Sequence, residues 1–186
     1  IVTTQQITRI NGLGFESDFN AGAQNMGPLA NPRRPEAIGA LVEDARKKGA
    51  KVLAGVNTSE NRAKPSGKLV TVDLASKAVV AECDLGGQPD SIAHNKDKTI
   101  LAIAIENERD EEVNDGEIPQ MPAGYLVKLP VKDGAADCAA LQKIEMTGLA
   151  AVAGDDPEPE FVAVNDAGEI AVTLQENNHI VVIGAD

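Results

Sequence analysis

From residue 67 onward, apolar and polar positions alternate with a period of two. GKLVTVDL, AVVAECDL, DSIAHN, TILAIAI, GYLVKLPV, EFVAVN, EIAVTL and HIVVIG are short runs rich in Val and Ile, separated by polar clusters such as NKDK, DAGE and ENN. Successive side chains of a strand point to opposite faces, so this pattern predicts half-buried strands joined by tight turns, an all-β meander. Upstream the spacing changes. In PEAIGALVEDARKKG, residues 35–49, Ile38, Leu41, Val42 and Ala45 fall at helical spacing. Pro and an acid open the segment, Arg-Lys-Lys closes it and Gly49 stops it, which predicts one helix near residues 36–48. The Gly- and Asn-rich stretch before it, including GLG at 12–14, reads as loop.

The strands repeat. QPDSIAHNKDKTILAIAIEN (88–107) and EPEFVAVNDAGEIAVTLQEN (158–177) align without a gap and share Pro89/Pro159, Ala93/Ala163, Asn95/Asn165, Ile100/Ile170, Glu106/Glu176 and Asn107/Asn177, with acids also matched at Asp90/Glu160. A further strand follows each Glu-Asn pair, GYLVKL after a long acidic insertion and HIVVIG directly. GKLVTVD at 67, preceded by SEN, reads as the same third strand of a degenerate copy. Strand, polar turn, strand, acidic loop and strand in succession is the signature of stacked or radially arranged β units, as in propeller blades. The predicted fold class is therefore mainly β, built of propeller-like repeated antiparallel units that form an incomplete propeller, with the one helix before them. Its organisation reads as an N-terminal loop and helix segment, 1–51, and a β domain, 52–186.

Composition narrows the chemistry. Only 2% of the residues are aromatic, so the core must be Val, Ile, Leu and Ala, and stacking platforms for bases or sugars are scarce. The formal charge of −12 disfavours nucleic acid and anionic lipid, which need a basic face, and favours divalent cations or basic partners. No run approaches the length of a membrane span, and IVTTQQITRI lacks a signal-peptide pattern, so the chain reads as soluble or already processed. Cys83 and Cys138 have no zinc-ligand spacing; a disulfide in an oxidising compartment and two buried thiols both fit them.

Long strings carry a resemblance. VNTSENRAKPSGKLVTVD (56–73), CDLGGQPDSIA (83–93), AIAIENERDE (102–111), NDGEIPQMPAGYL (114–126), GDDPEPEFV (154–162) and TLQENNHIVVI (173–183) resemble, in order, the β-propeller proteins described as having esterase-like activity of phytase. The resemblance covers about residues 52–186 and implies a periplasmic or secreted propeller. It also implies metal-dependent hydrolysis of a phosphoester or ester, with an anionic small molecule as substrate. MGPLANPRRPEAIGALVEDARKKGAKVLAG, 26–55, is similar to the part of aldehyde dehydrogenases that follows the catalytic cysteine, and it brings no cysteine or nicotinamide loop with it. A dehydrogenase fragment is thus a second alternative. Three β units fall short of a closed ring, so missing blades or partner copies are expected to complete it.

Between Glu106 and Glu117 the chain sets seven carboxylates against Arg109 alone. Calcium takes six to eight oxygens, and inter-strand loops can gather them on one face. The candidate metal ligands are Glu106, Glu108, Asp110 and Glu111 from the first copy, and Asp156, Glu158, Glu160, Glu176 and Asn177, with Asp155, from the second. A metal-bound water could pass its proton to Glu108 or Glu158, the weak catalytic candidates. The competing readings are acids that solvate an exposed loop, Arg109 bridged to a neighbouring acid, and a non-catalytic calcium-binding propeller used for binding or surface assembly. Ser91 lacks a nucleophile elbow, His94 and His179 have no triad spacing, and LGG at 85–87 reads as turn glycines; all are expected to be structural. NTS at 57–59 fits a glycosylation acceptor, which matters only in a eukaryotic secretory setting.

Overall fold

The computed structural model describes residues 33–185. Helix α1 spans Arg33–Lys47. It ends in a Schellman arrangement: the Ala50 amide donates to the Ala45 carbonyl, the Gly49 amide donates to Arg46, and Gly49 takes the left-handed φ of 68° that the sequence anticipates. Ile38, Leu41 and Val42 remain exposed on this helix, so its apolar stripe stays open.

Three antiparallel sheets follow. The first joins β1 (Lys51–Asn57), β2 (Gly67–Asp73) and β3 (Ala78–Asp84) in sequence order. The second joins β4 (Gln88–His94), β5 (Ile100–Glu106) and β6 (Tyr125–Lys132), with the short β7 (Ala135–Ala136) and β8 (Gln142–Glu145) both pairing with β6. The third joins β9 (Pro159–Val164), β10 (Ile170–Leu174) and β11 (His179–Ile183). These sheets are the repeated units expected from the sequence, and they stack face to face like propeller blades.

Alternation decides which face is buried. One face of the middle blade, with Leu101, Ile103, Ile105, Val127 and Leu129, packs on Leu53, Leu69 and Cys83 of the first blade. Its other face, lined by Ala102, Ala104 and Leu126, receives Val162, Ile170, Val172 and Leu174 of the third. Small residues on one side and large ones on the other let the sheets interdigitate. Cys83 and Cys138 form a disulfide that joins the first blade to the middle one.

The blades are not equivalent copies. β4 and β9 are matching inner strands, and the Val162 amide donates to the Ser91 hydroxyl across them at 3.2 Å. β1 runs the other way: Gly55, near its end, lies against Pro89, near the start of β4, while Lys51 at its beginning donates to the Asp133 carbonyl at the opposite end. β1 therefore occupies the place of a second strand, like β5 and β10. Among the described residues, the segment directly before β1 is α1 rather than a strand.

Candidate functional site

The sequence repeat puts the starts of β4 and β9 and the ends of β5 and β10 at one end of the stack, and the acids of the repeat gather there. They divide into two groups with different chemistry.

The first group is a buried clamp. Asp156 is 1% exposed. One of its carboxylate oxygens accepts from the Asn107 amide at 2.5 Å, and the other accepts from the Gln120 backbone amide at 3.0 Å and from Arg109 Nε at 3.3 Å. Arg109 also reaches the Asp156 carbonyl at 3.1 Å and Glu158 at 3.4 Å. The Arg109 amide donates to the other Glu158 oxygen at 3.2 Å. Burial pushes the Glu158 carboxyl up and the Arg109 charge pulls it back, while Oε2 of Glu158 receives no hydrogen bond. Asn177 turns its amide onto the carbonyls of Val152, Ala153 and Asp156, and its oxygen accepts from the Glu158 amide at 2.9 Å. These groups tie the acidic loop between β5 and β6 to the third blade.

The second group is half-buried and crowded. Gln88 donates to Glu106 at 2.8 Å and to Glu108 at 3.0 Å. Arg62, from the loop between β1 and β2, pairs with Glu108 at 3.0 Å and lies 3.9 Å from Asp110. Burial pushes Glu106 up to about 7; the Gln88 bond opposes this, and the charges of Asp90, Glu108 and Glu160 add to it. Glu160 is raised by burial and by Asp90 and Glu176, and Asp90 by burial and by Glu108. Burial and neighbouring acids thus raise Asp90, Glu106 and Glu160 alike, and among the described residues none of the three is ion-paired.

The remaining candidates are dispersed. Glu111, Asp155 and Glu176 are exposed, as are Glu112, Asp115 and Glu117 of the acidic run. Among the described residues, no cluster of three or more His, Cys, Asp and Glu side chains stands in a ready metal-binding arrangement. Ser91 accepts a backbone hydrogen bond, and His94 Nδ1 lies 2.8 Å from the Asn95 carbonyl.

Sequence reasoning missed Arg62, Gln88 and Gln120. Gln88 had a signal, because it is the repeat partner of Glu158; Arg62 and Gln120 come from irregular loops with none.

Stacked antiparallel blades with an acidic end define a propeller-like β domain. The chain belongs to the choice-of-anchor I domain family, which residues 37–185 match. That match begins inside the dehydrogenase-like segment and takes in the end of α1 and β1. Hydrazine synthase of Kuenenia stuttgartiensis, a propeller-containing protein, has a similar fold, with a TM-score of 0.52 and 13% identity over 75% of this chain. The match spans 38% of that chain and carries the fold alone. No curated protein matches.

Proposed function

We propose that this chain is an extracytoplasmic β domain that works by binding and assembly, with a calcium-type cation as ligand of its acidic end and no hydrolytic step of its own. The observation that carries this reading is the commitment of both candidate proton acceptors: Glu158 is buried against Arg109, and Glu108 is held by Arg62 and Gln88. A general base must face the substrate water, and Glu158 is only 5% exposed. The Cys83–Cys138 disulfide supports an oxidising compartment, periplasmic, secreted or at the cell surface, and an anchor-type domain family agrees with it. Asp90, Glu106 and Glu160 would have to draw together to hold the cation. Asp156, Glu158 and Asn177 serve the clamp.

The test is calcium titration against a chelated control, reading thermal stability and hydrolysis of p-nitrophenyl phosphate and p-nitrophenyl acetate. Calcium at a hundred times its Kd should stabilise the fold by about 2.7 kcal/mol. Binding at pH 7 should also release protons as Glu106 ionises. Calcium-dependent turnover would overturn the reading in favour of a phytase-like hydrolase acting on an anionic ester. The Glu106 carboxyl, poised near neutral pH, is the observation that favours that second reading. Absence of any calcium effect would remove the cation from both.

A further inference from the structure

The loop that joins β5 to β6, residues 107–124, has no counterpart in the third blade, where β10 passes to β11 through residues 175–178. Long irregular loops are uncommon in compact domains and usually carry function. The neck of this one is built into the fold. The Gln120 side chain accepts from the Asp110 amide at 2.8 Å and donates to the Asp110 carbonyl at 3.0 Å, pairing both main-chain groups as a neighbouring strand would. The Gln120 amide is itself fixed on Asp156, and Asn107 and Arg109 converge on the same carboxylate. Burying those charges costs desolvation, and what the clamp achieves is a fixed neck.

Beyond the neck the side chains turn to solvent. Every residue from 111 to 119 is exposed. Val113, Ile118 and, just past Gln120, Met121 are 40%, 45% and 62% exposed. The ion pairs of the loop, Arg62 with Glu108 and Asp110 and Arg109 with Asp156 and Glu158, all lie at the neck; among the described residues, Glu111, Glu112, Asp115 and Glu117 of the tip have none. A single exposed apolar side chain needs no explanation. Three on the two limbs of one anchored tip, with acids around them, have the composition of an interface, an apolar centre inside a charged rim.

We propose that this tip docks a basic partner protein, whose apolar side chains cover Val113, Ile118 and Met121 while its Lys or Arg side chains meet Glu111, Glu112, Asp115 and Glu117. The inference rests on the binding and assembly reading above and names its partner. Charge selects the occupant. Four uncompensated acids repel another acidic surface, and residues 1–32 of this chain hold one base, Arg9, against Glu16 and Asp18, so they do not supply the complement. A bare cation would leave the three apolar side chains in water, whereas a protein surface covers them. A tip already held at its neck also loses little freedom on binding.

Fluorescence anisotropy of the intact chain in chelator, with a labelled peptide in which Lys pairs flank Leu and Val, tests the proposal. That peptide should bind about tenfold more tightly than an all-Lys peptide of equal charge, and a copy with Glu in place of Lys should not bind. Ile118→Ser combined with Met121→Ser should weaken binding about tenfold. Glu112→Gln combined with Glu117→Gln should weaken it and flatten its salt dependence. Asp97→Asn, in the β4–β5 turn at the opposite end of the stack, should leave it unchanged, and all variants should keep the wild-type circular dichroism. No binding, equal binding of the all-Lys peptide, or affinity indifferent to the tip variants would overturn it. Because the readout is made in chelator, a failed calcium titration leaves this result standing, and a failed peptide leaves the cation reading to its own test.

Discussion

Arg109 is the residue on which the acidic loop turns. With its guanidinium set against Asp156 and Glu158, the pair of carboxylates is compensated; without it, two buried charges have no counter-ion. Arg109→Met should destabilise the fold by about 3–5 kcal/mol in urea denaturation, the usual result of breaking a buried ion pair. Arg109→Lys should recover only part of that, since one ammonium cannot reproduce the fork that spans both acids. Glu106 gives the opposite sign. Its carboxyl keeps its proton in the folded state up to about pH 7, whereas the unfolded chain releases it near 4.5. The unfolded state therefore binds fewer protons between those values, so stability falls as pH rises through that window and levels off above it. The difference between wild type and Glu106→Gln should grow across that window, favouring the variant above it. The sequence marked these acids as special by their repeat positions. It could not separate the clamp from the crowded group, because the deciding partners, Arg62 and Gln120, come from loops whose paths no periodicity describes.

At the level of elements, the repeat was legible because its turns and strand ends use side chains with fixed tasks. Asn95 accepts from the amides of Thr99 and Ile100, and Asn165 accepts from that of Glu169, so each asparagine closes the hairpin that follows its inner strand. What the pattern left out was β1 itself. β1 lies ahead of the alternating runs, and its pairing with β2 and its placement against Pro89 show that it stands second in its blade, in keeping with GKLVTVD as the third strand. The Gly67–Pro89 and Gly124–Pro159 contacts were equally invisible, since each glycine and its proline are distant in sequence. A side chain at Gly67 would also lie 2.4 Å from the Gly87 carbonyl, and one at Gly124 would lie 2.7 Å from the Ile105 carbonyl. Gly67→Ala and Gly124→Ala should each destabilise by on the order of 3 kcal/mol, because backbone on both sides must shift. Gly39, in the open helix with nothing near its missing Cβ, supplies the contrast: Gly39→Ala should raise helicity and stability by up to about 1 kcal/mol. Denaturation midpoints of the three variants read the difference directly.

For the whole molecule, the stack is a short one-dimensional array in which each blade leans on its neighbours. The middle blade has two of them and each end blade has one, so in a single copy opening should begin at an end. The two ends do not start equal. The disulfide ties the first blade to the middle one across 55 residues, a constraint worth about 4 kcal/mol by loop-closure entropy. The third blade has no such tie among the described residues. Among the described residues, amide exchange should be fastest across residues 159–183 while the disulfide is intact, and reduction should bring residues 51–84 to a similar rate. Reducing conditions would then loosen the first blade to match the third, whereas in an oxidising compartment proteases would be expected to nick the third blade before the first.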